Sequence, residues 1–180
     1  MRNHILYRVA FLAAILLQVH PILAQGSNNR KSYEPEMVFV EGGTFQMGSE
    51  SGVEDELPVH SVTLSDYYIG AYEVTQAQWR EVMGGNRSAH SDCDQCPVEQ
   101  VSWDDVQEYI ELLNSMTGKL YRLPTEAEWE FAAGAGQSYR LPWGDELMLN
   151  GRLPCNIWQG KFPNDPAIGW TPSTVPVKSY

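Results

Sequence analysis

The chain has 180 residues, with 12 Lys and Arg against 23 Asp and Glu, for a formal net charge of −11. A surface this acidic repels nucleic acid and anionic membranes, so neither is expected as a partner. The length suggests one domain, and three cysteines allow one disulfide with one thiol left over.

Residues 1–24, MRNHILYRVAFLAAILLQVHPILA, carry Arg2 and Arg8, an apolar run around Val9–Val19 and a small Ala24 before a polar stretch. That is the pattern of a secretory signal peptide, with an apolar run too short for a good membrane span. An uncleaved anchor is the alternative. The chain is expected to be exported, to the periplasm, the cell envelope or the medium, with no stable span after cleavage. Cleavage takes away Arg2 and Arg8 and no acidic residue, moving the net charge from −11 to −13. Residues 25–35 read as a polar linker, and 36–180 as the domain.

MVFVEGGTFQMGS suggests a hairpin. Val38 and Val40 alternate, Gly42 and Gly43 supply a turn, and Thr44 to Met47 return. ESGVEDELP is an acidic loop, with Glu54, Asp55 and Glu56 read as a solvated cluster. VHSVTLSDYYIGAYEV is β-rich.

Three helix starts follow. Thr75 with Gln78 and Thr125 with Glu128 form capping boxes, and Ser102 with Asp105 is a near-variant. The middle helix sets Val106, Ile110 and Leu113 on one stripe and stops at Gly118. In YRLPTEAEWEFAAGAG, Pro124 fixes the lead-in, Glu126 and Glu128 complement the helix start, and Gly134 ends the helix. Trp129 is expected to pack inward. Beyond Gly136, repeated Pro and Gly keep the chain irregular.

Taken in order, MVFVEGGTFQMGS, PVHSVTLSDYYIGAYEVTQAQW, PVEQVSWDDVQEYI, YRLPTEAEWEFAA, PWGDE and CNIWQG resemble the formylglycine-generating enzyme, or sulfatase-modifying factor, family, from about Glu36 onward. RLPTEAEWE and NIWQG are the most specific pieces. The resemblance implies an α+β fold, a variant of the C-type-lectin-like fold with little regular secondary structure. It also implies an oxidase that converts a sulfatase cysteine, within a Cys-x-Pro-x-Arg motif, to formylglycine. Such an enzyme uses O2 and copper(I) held by two thiolates, the soft donors that copper(I) prefers. By that resemblance the copper-binding pair lies beyond Tyr180, so the domain reads as C-terminally truncated, and no catalytic residue is assigned within the chain. Ile110 and Ala133 stand where secreted animal members have bridging cysteines, so those bridges are not expected. If the chain serves an enzyme, its partner is an unfolded or peptide-like sulfatase segment. The alternative is a non-catalytic exported module for binding or assembly.

Two further sites carry chemistry. Cys93 and Cys96, in DCDQC, fit a local disulfide, a redox pair or half a zinc site. An exported loop followed by Pro97 favours the disulfide. Cys155 is then the odd thiol, read as a buried small hydrophobe, although a bridge to Cys93 or Cys96 also satisfies the count. The resemblance implies a structural calcium at Asn156 and the Ile157 carbonyl, with Asp165 the nearest substitute for a downstream Asp. A plain Asn-anchored turn is the other reading.

Overall fold

A computed structural model describes residues 30–50, 52–137 and 141–180. The signal segment lies outside the described residues. The regular elements are short: β1 (Met37–Val40), β2 (Thr44–Met47), β3 (His60–Thr63), β4 (Tyr67–Gly70), α1 (Gln76–Met83), α2 (Trp103–Thr117), α3 (Glu126–Gly134), β5 (Gly160–Lys161) and β6 (Asp165–Pro166). This is a mixed arrangement of small sheets and helices. Among the described residues no helix is long and apolar enough to cross a membrane.

The expected hairpin at Gly42 and Gly43 does not form. β1 pairs antiparallel with β4, Met37 opposite Gly70 and Val40 opposite Tyr67. β2 pairs antiparallel with β3, Thr44 opposite Thr63 and Met47 opposite His60. The register is the same in both ladders. Between them the Leu64 amide still donates to the Gly43 carbonyl at 2.8 Å, so one long ribbon runs from residue 36 to residue 71. The physical reason lies in the glycines. A two-residue hairpin turn needs positive φ at its centre, and neither Gly42 nor Gly43 has it. Gly42 serves close approach instead: a Cβ placed there would lie 2.3 Å from the Leu64 carbonyl oxygen and 2.5 Å from the Ser65 carbonyl carbon. Its amide donates to Asp66 Oδ1 at 2.8 Å.

All three helix starts carry a complete capping box. The Gln78 amide donates to Thr75 Oγ1 while the Thr75 amide donates to Gln78 Oε1, at 3.3 and 3.0 Å. Ser102 with Asp105 and Thr125 with Glu128 repeat the exchange. Each box satisfies amides that a helix start otherwise leaves unpaired. Thr75→Ala is expected to cost about 1 kcal/mol, read as a lower urea midpoint at unchanged slope. A change in slope would point instead to a changed unfolded or native ensemble.

α2 stops at Gly118, which takes the left-handed conformation. Its stripe of Val106, Tyr109, Ile110 and Leu113 packs with Trp79 and Val82 of α1 and with Val74, Val98 and Tyr121. Trp79 and Tyr109 stack with their centroids 4.9 Å apart. Two details of α3 differ from expectation. The helix includes Gly134, and Ala135 takes the left-handed cap at φ 49. Trp129 lies 39% exposed, whereas Glu128 is 5% exposed and faces inward. Glu128 is turned in by a forked pair: Arg122 Nη1 donates to Oε2 at 2.8 Å and Nη2 to Oε1 at 2.5 Å.

The described part of the segment read as a linker is bound into the domain. Tyr33 packs against the main core. Glu34, 6% exposed, accepts from Lys119 Nζ, from Tyr121 Oη at 3.2 Å and from the Lys31 amide at 3.3 Å. These contacts satisfy the buried carboxylate.

Candidate functional site

α3 packs on the ribbon. Tyr67 Oη, on β4, donates to the Glu128 carbonyl at 2.6 Å, and the Gly48 amide donates to Glu130 Oε1 at 2.9 Å. Phe45 of β2 meets Phe131 edge-on at 5.2 Å between centroids. Every one of these contacts is scaffold. None places a nucleophile, an acid or a base beside an open site.

The cysteines occupy two places. Cys93 and Cys96 are joined, with Cα atoms 5.3 Å apart, in a loop against the start of α1. Cys155 is free and half-buried, and burial pushes its thiol pKa up, so it is held as the neutral thiol at neutral pH. A neutral thiol is a poor nucleophile and a poor metal ligand. The two-thiolate copper(I) site that the resemblance implies is not matched by a joined pair with one isolated neutral thiol.

The residues expected at a calcium site, Asn156, Ile157 and Asp165, lie in the irregular part of the chain after α3. Asn156 Nδ2 donates to the Ser173 carbonyl at 2.8 Å, which is the geometry of an anchored turn. Asp165 lies on β6 opposite Lys161, exposed on a two-residue ladder. Among the described residues no three His, Cys, Asp or Glu side chains come together as a metal site.

Two features went unseen in the sequence. Gln76, at the first position of α1 and fully buried, ties three segments together. Its Nε2 donates to the His90 and Pro97 carbonyls at 3.0 and 3.3 Å, and its Oε1 accepts from Asn86 Nδ2 at 2.9 Å. The second is a cavity of about 150 Å³ whose walls include Arg30, Glu36, Tyr72, Glu73, Gln95 and Lys178. Glu73 has no hydrogen-bond or ion-pair partner among the described residues, and burial raises its carboxyl pKa. No local motif signals either feature, since each draws on segments far apart in the chain.

The sulfatase-modifying factor enzyme 1-like domain model matches residues 24–180. This chain belongs to that family. As a member, it is 34% identical to the formylglycine-generating enzyme of Streptomyces coelicolor, over 77% of this chain and 60% of that protein. It is also 34% identical to the chaperone protein LppX of Paenibacillus barcinonensis, over 68% of this chain and 54% of that one. Among solved structures it resembles PvdO from Pseudomonas aeruginosa, with a TM-score of 0.57 and 27% identity over 68% of this chain and 56% of that one. This sulfatase-modifying factor chain thus spans less than two thirds of the length of each of these relatives.

Proposed function

We propose that this chain is the scaffold portion of a formylglycine-generating domain. In this reading the complete domain oxidises a sulfatase cysteine to formylglycine with O2 and copper(I), and the metal-holding thiols come from outside these 180 residues. The match to the sulfatase-modifying factor family over residues 24–180 is the observation that carries it. The state of the cysteines agrees, because the joined pair and the neutral Cys155 leave no thiolate pair for copper within the chain. We read the fold as the family's C-type-lectin-like variant and residues 36–180 as its incomplete domain. Export fits the signal-like residues 1–24 and a disulfide, which persists in oxidising compartments. Under this reading the partner is an extended sulfatase segment.

The test compares this 180-residue chain with the protein purified from its source. The chain alone is expected to bind no copper(I) in competition with a thiol-matched chelator. The source protein is expected to be heavier, to bind one equivalent, and to convert a Cys-x-Pro-x-Arg peptide, followed by peptide mass. A source protein no heavier than this chain that leaves the peptide unchanged would replace the proposal with a non-catalytic binding module.

A further inference from the structure

We propose that Cys93–Cys96 is an exchangeable disulfide, and that its reduction by a dithiol frees the Val177–Lys178 segment and opens the cavity that segment walls. The inference concerns regulation and stands whether or not the domain is catalytic.

The four-residue loop closed by the bridge spends its carbonyls on its neighbours. The Asp94 carbonyl accepts from the Ala77 amide at 3.0 Å and the Cys96 carbonyl from the Gln76 amide at 2.9 Å. Those are the first two amides of α1, donors that a helix start leaves unpaired. The Gln95 carbonyl, between them, accepts from the Val177 amide at 2.9 Å. Arg80 Nη2 pairs with Asp94 Oδ1 at 2.9 Å and ties the loop to the far end of the same helix. One small loop therefore positions both α1 and the Val177–Lys178 turn.

Beyond Val177 the segment is lightly held. Lys178 Nζ sits 4.6 Å from the centre of the Tyr72 ring and 3.4 Å from Glu36 Oε2. These are exposed contacts of the kind that water and salt weaken. Lys178 also adopts φ 73, a left-handed conformation that a non-glycine residue takes only when its surroundings impose it. Val177, Lys178 and Gln95 all line the cavity that contains the unpartnered Glu73. Loosening the loop and uncovering that carboxylate are one event.

The bridge can be reached. Cys93 is half-buried and Cys96 is 2% exposed, so the attacking thiolate meets the Cys93 sulfur. The Cys93–Cys96 bond breaks as a mixed disulfide forms, and Cys96 leaves as a thiolate that takes up a proton. The second thiol of the reductant displaces Cys93, which is protonated in turn. Two electrons and two protons pass from the dithiol to the protein, and the dithiol becomes its cyclic disulfide. The main core, in which Trp79 stacks on Tyr109 and packs with Ile110 and Leu113, takes none of its contacts from these hydrogen bonds and is expected to stay packed.

Amide hydrogen exchange on the whole chain, before and after dithiothreitol, decides the matter, with thiol titration reporting reduction. Reduction is expected to raise the Val177 exchange rate at least about tenfold, with smaller rises at Gln76 and Ala77 and no change at Ile110 and Leu113. The variant carrying Cys93→Ser and Cys96→Ser should behave as the reduced protein without reductant. If that variant does not fold, the reduced wild-type chain still gives the answer. Unchanged Val177 exchange at three titrated thiols overturns the proposal. So does loss of protection through α2 together with Val177, which would make the bridge a staple of the whole domain. A bridge that resists dithiothreitol in the folded protein overturns it as well.

Discussion

Glu128→Ala is expected to cost about 4 kcal/mol of stability. Removing one member of a buried ion pair costs about 3–5 kcal/mol, because the partner is left charged in a poor solvent. Arg122 keeps 38% of its side chain in water and can rehydrate, which puts the pair at the low end, about 3 kcal/mol. The same substitution removes the acceptor for the Thr125 amide and so half of a capping box, adding about 1 kcal/mol. Glu128→Gln keeps the size and an acceptor but loses the charge, and should cost roughly half as much.

The pH dependence separates the two contributions. The hydrogen bonds from Arg122 hold the Glu128 carboxyl below its ordinary value of 4.5. A carboxylate with a lowered pKa in the folded state stabilises fully above its unfolded value, and that stabilisation fades as pH falls through the folded one. The gap between wild type and Glu128→Gln should therefore be full at neutral pH and shrink below pH 4.5. Urea titrations of both proteins from neutrality to about pH 3 would check this. A gap that stays constant over that range would mean that packing, rather than the ion pair, sets the cost.

Gly42→Ala is the second large effect, at about 3 kcal/mol. A methyl group at residue 42 meets backbone on the opposite strand, 2.3 Å from the Leu64 oxygen, and no side-chain rotation relieves that. The strands must part where the Leu64 amide holds the Gly43 carbonyl. Gly85→Ala provides the control: it has open space around it and no left-handed φ, so its change should stay within about 0.5 kcal/mol. Equal denaturation midpoints for the two variants would remove close approach as the reason for glycine at 42.

The same residues show where sequence patterns suffice. The capping boxes were readable because a helix start is a four-residue problem, with donor and acceptor types fixed by local geometry. The α2 stripe and its Gly118 stop were readable for the same reason. The Gly42–Gly43 pair misled because a glycine pair is the signature of a turn and equally of two backbones pressed together. The difference lies in strand partners some twenty residues away. Trp129 is left partly exposed, whereas Glu128, besides closing its capping box as expected, is turned inward because Arg122 reaches the carboxylate and satisfies it. Hydrophobicity alone sends the tryptophan inward; a forked charge pair sends the glutamate.

At the candidate sites, the closeness of Cys93 and Cys96 follows from a spacing of three. The cavity around Glu73 draws on residues from both ends of the domain, and no window of sequence contains it. The family pieces RLPTEAEWE and NIWQG were recognisable as strings. Their physical work, pinning a ribbon through Glu128 and anchoring a turn through Asn156, became visible only with the fold.

The way α3 closes on the ribbon also sets the order in which the protein can become native. Tyr67 and Gly48 find their partners 61 and 82 residues further along the chain. Contacts of such long separation demand that a large loop be closed before they return any stabilisation, and domains dominated by them fold slowly. On a growing polypeptide the ribbon emerges first and leaves Phe45 uncovered until Phe131 has been made. Maturation is therefore expected late and in one step, when the third helix arrives to lock strands that were synthesised long before it.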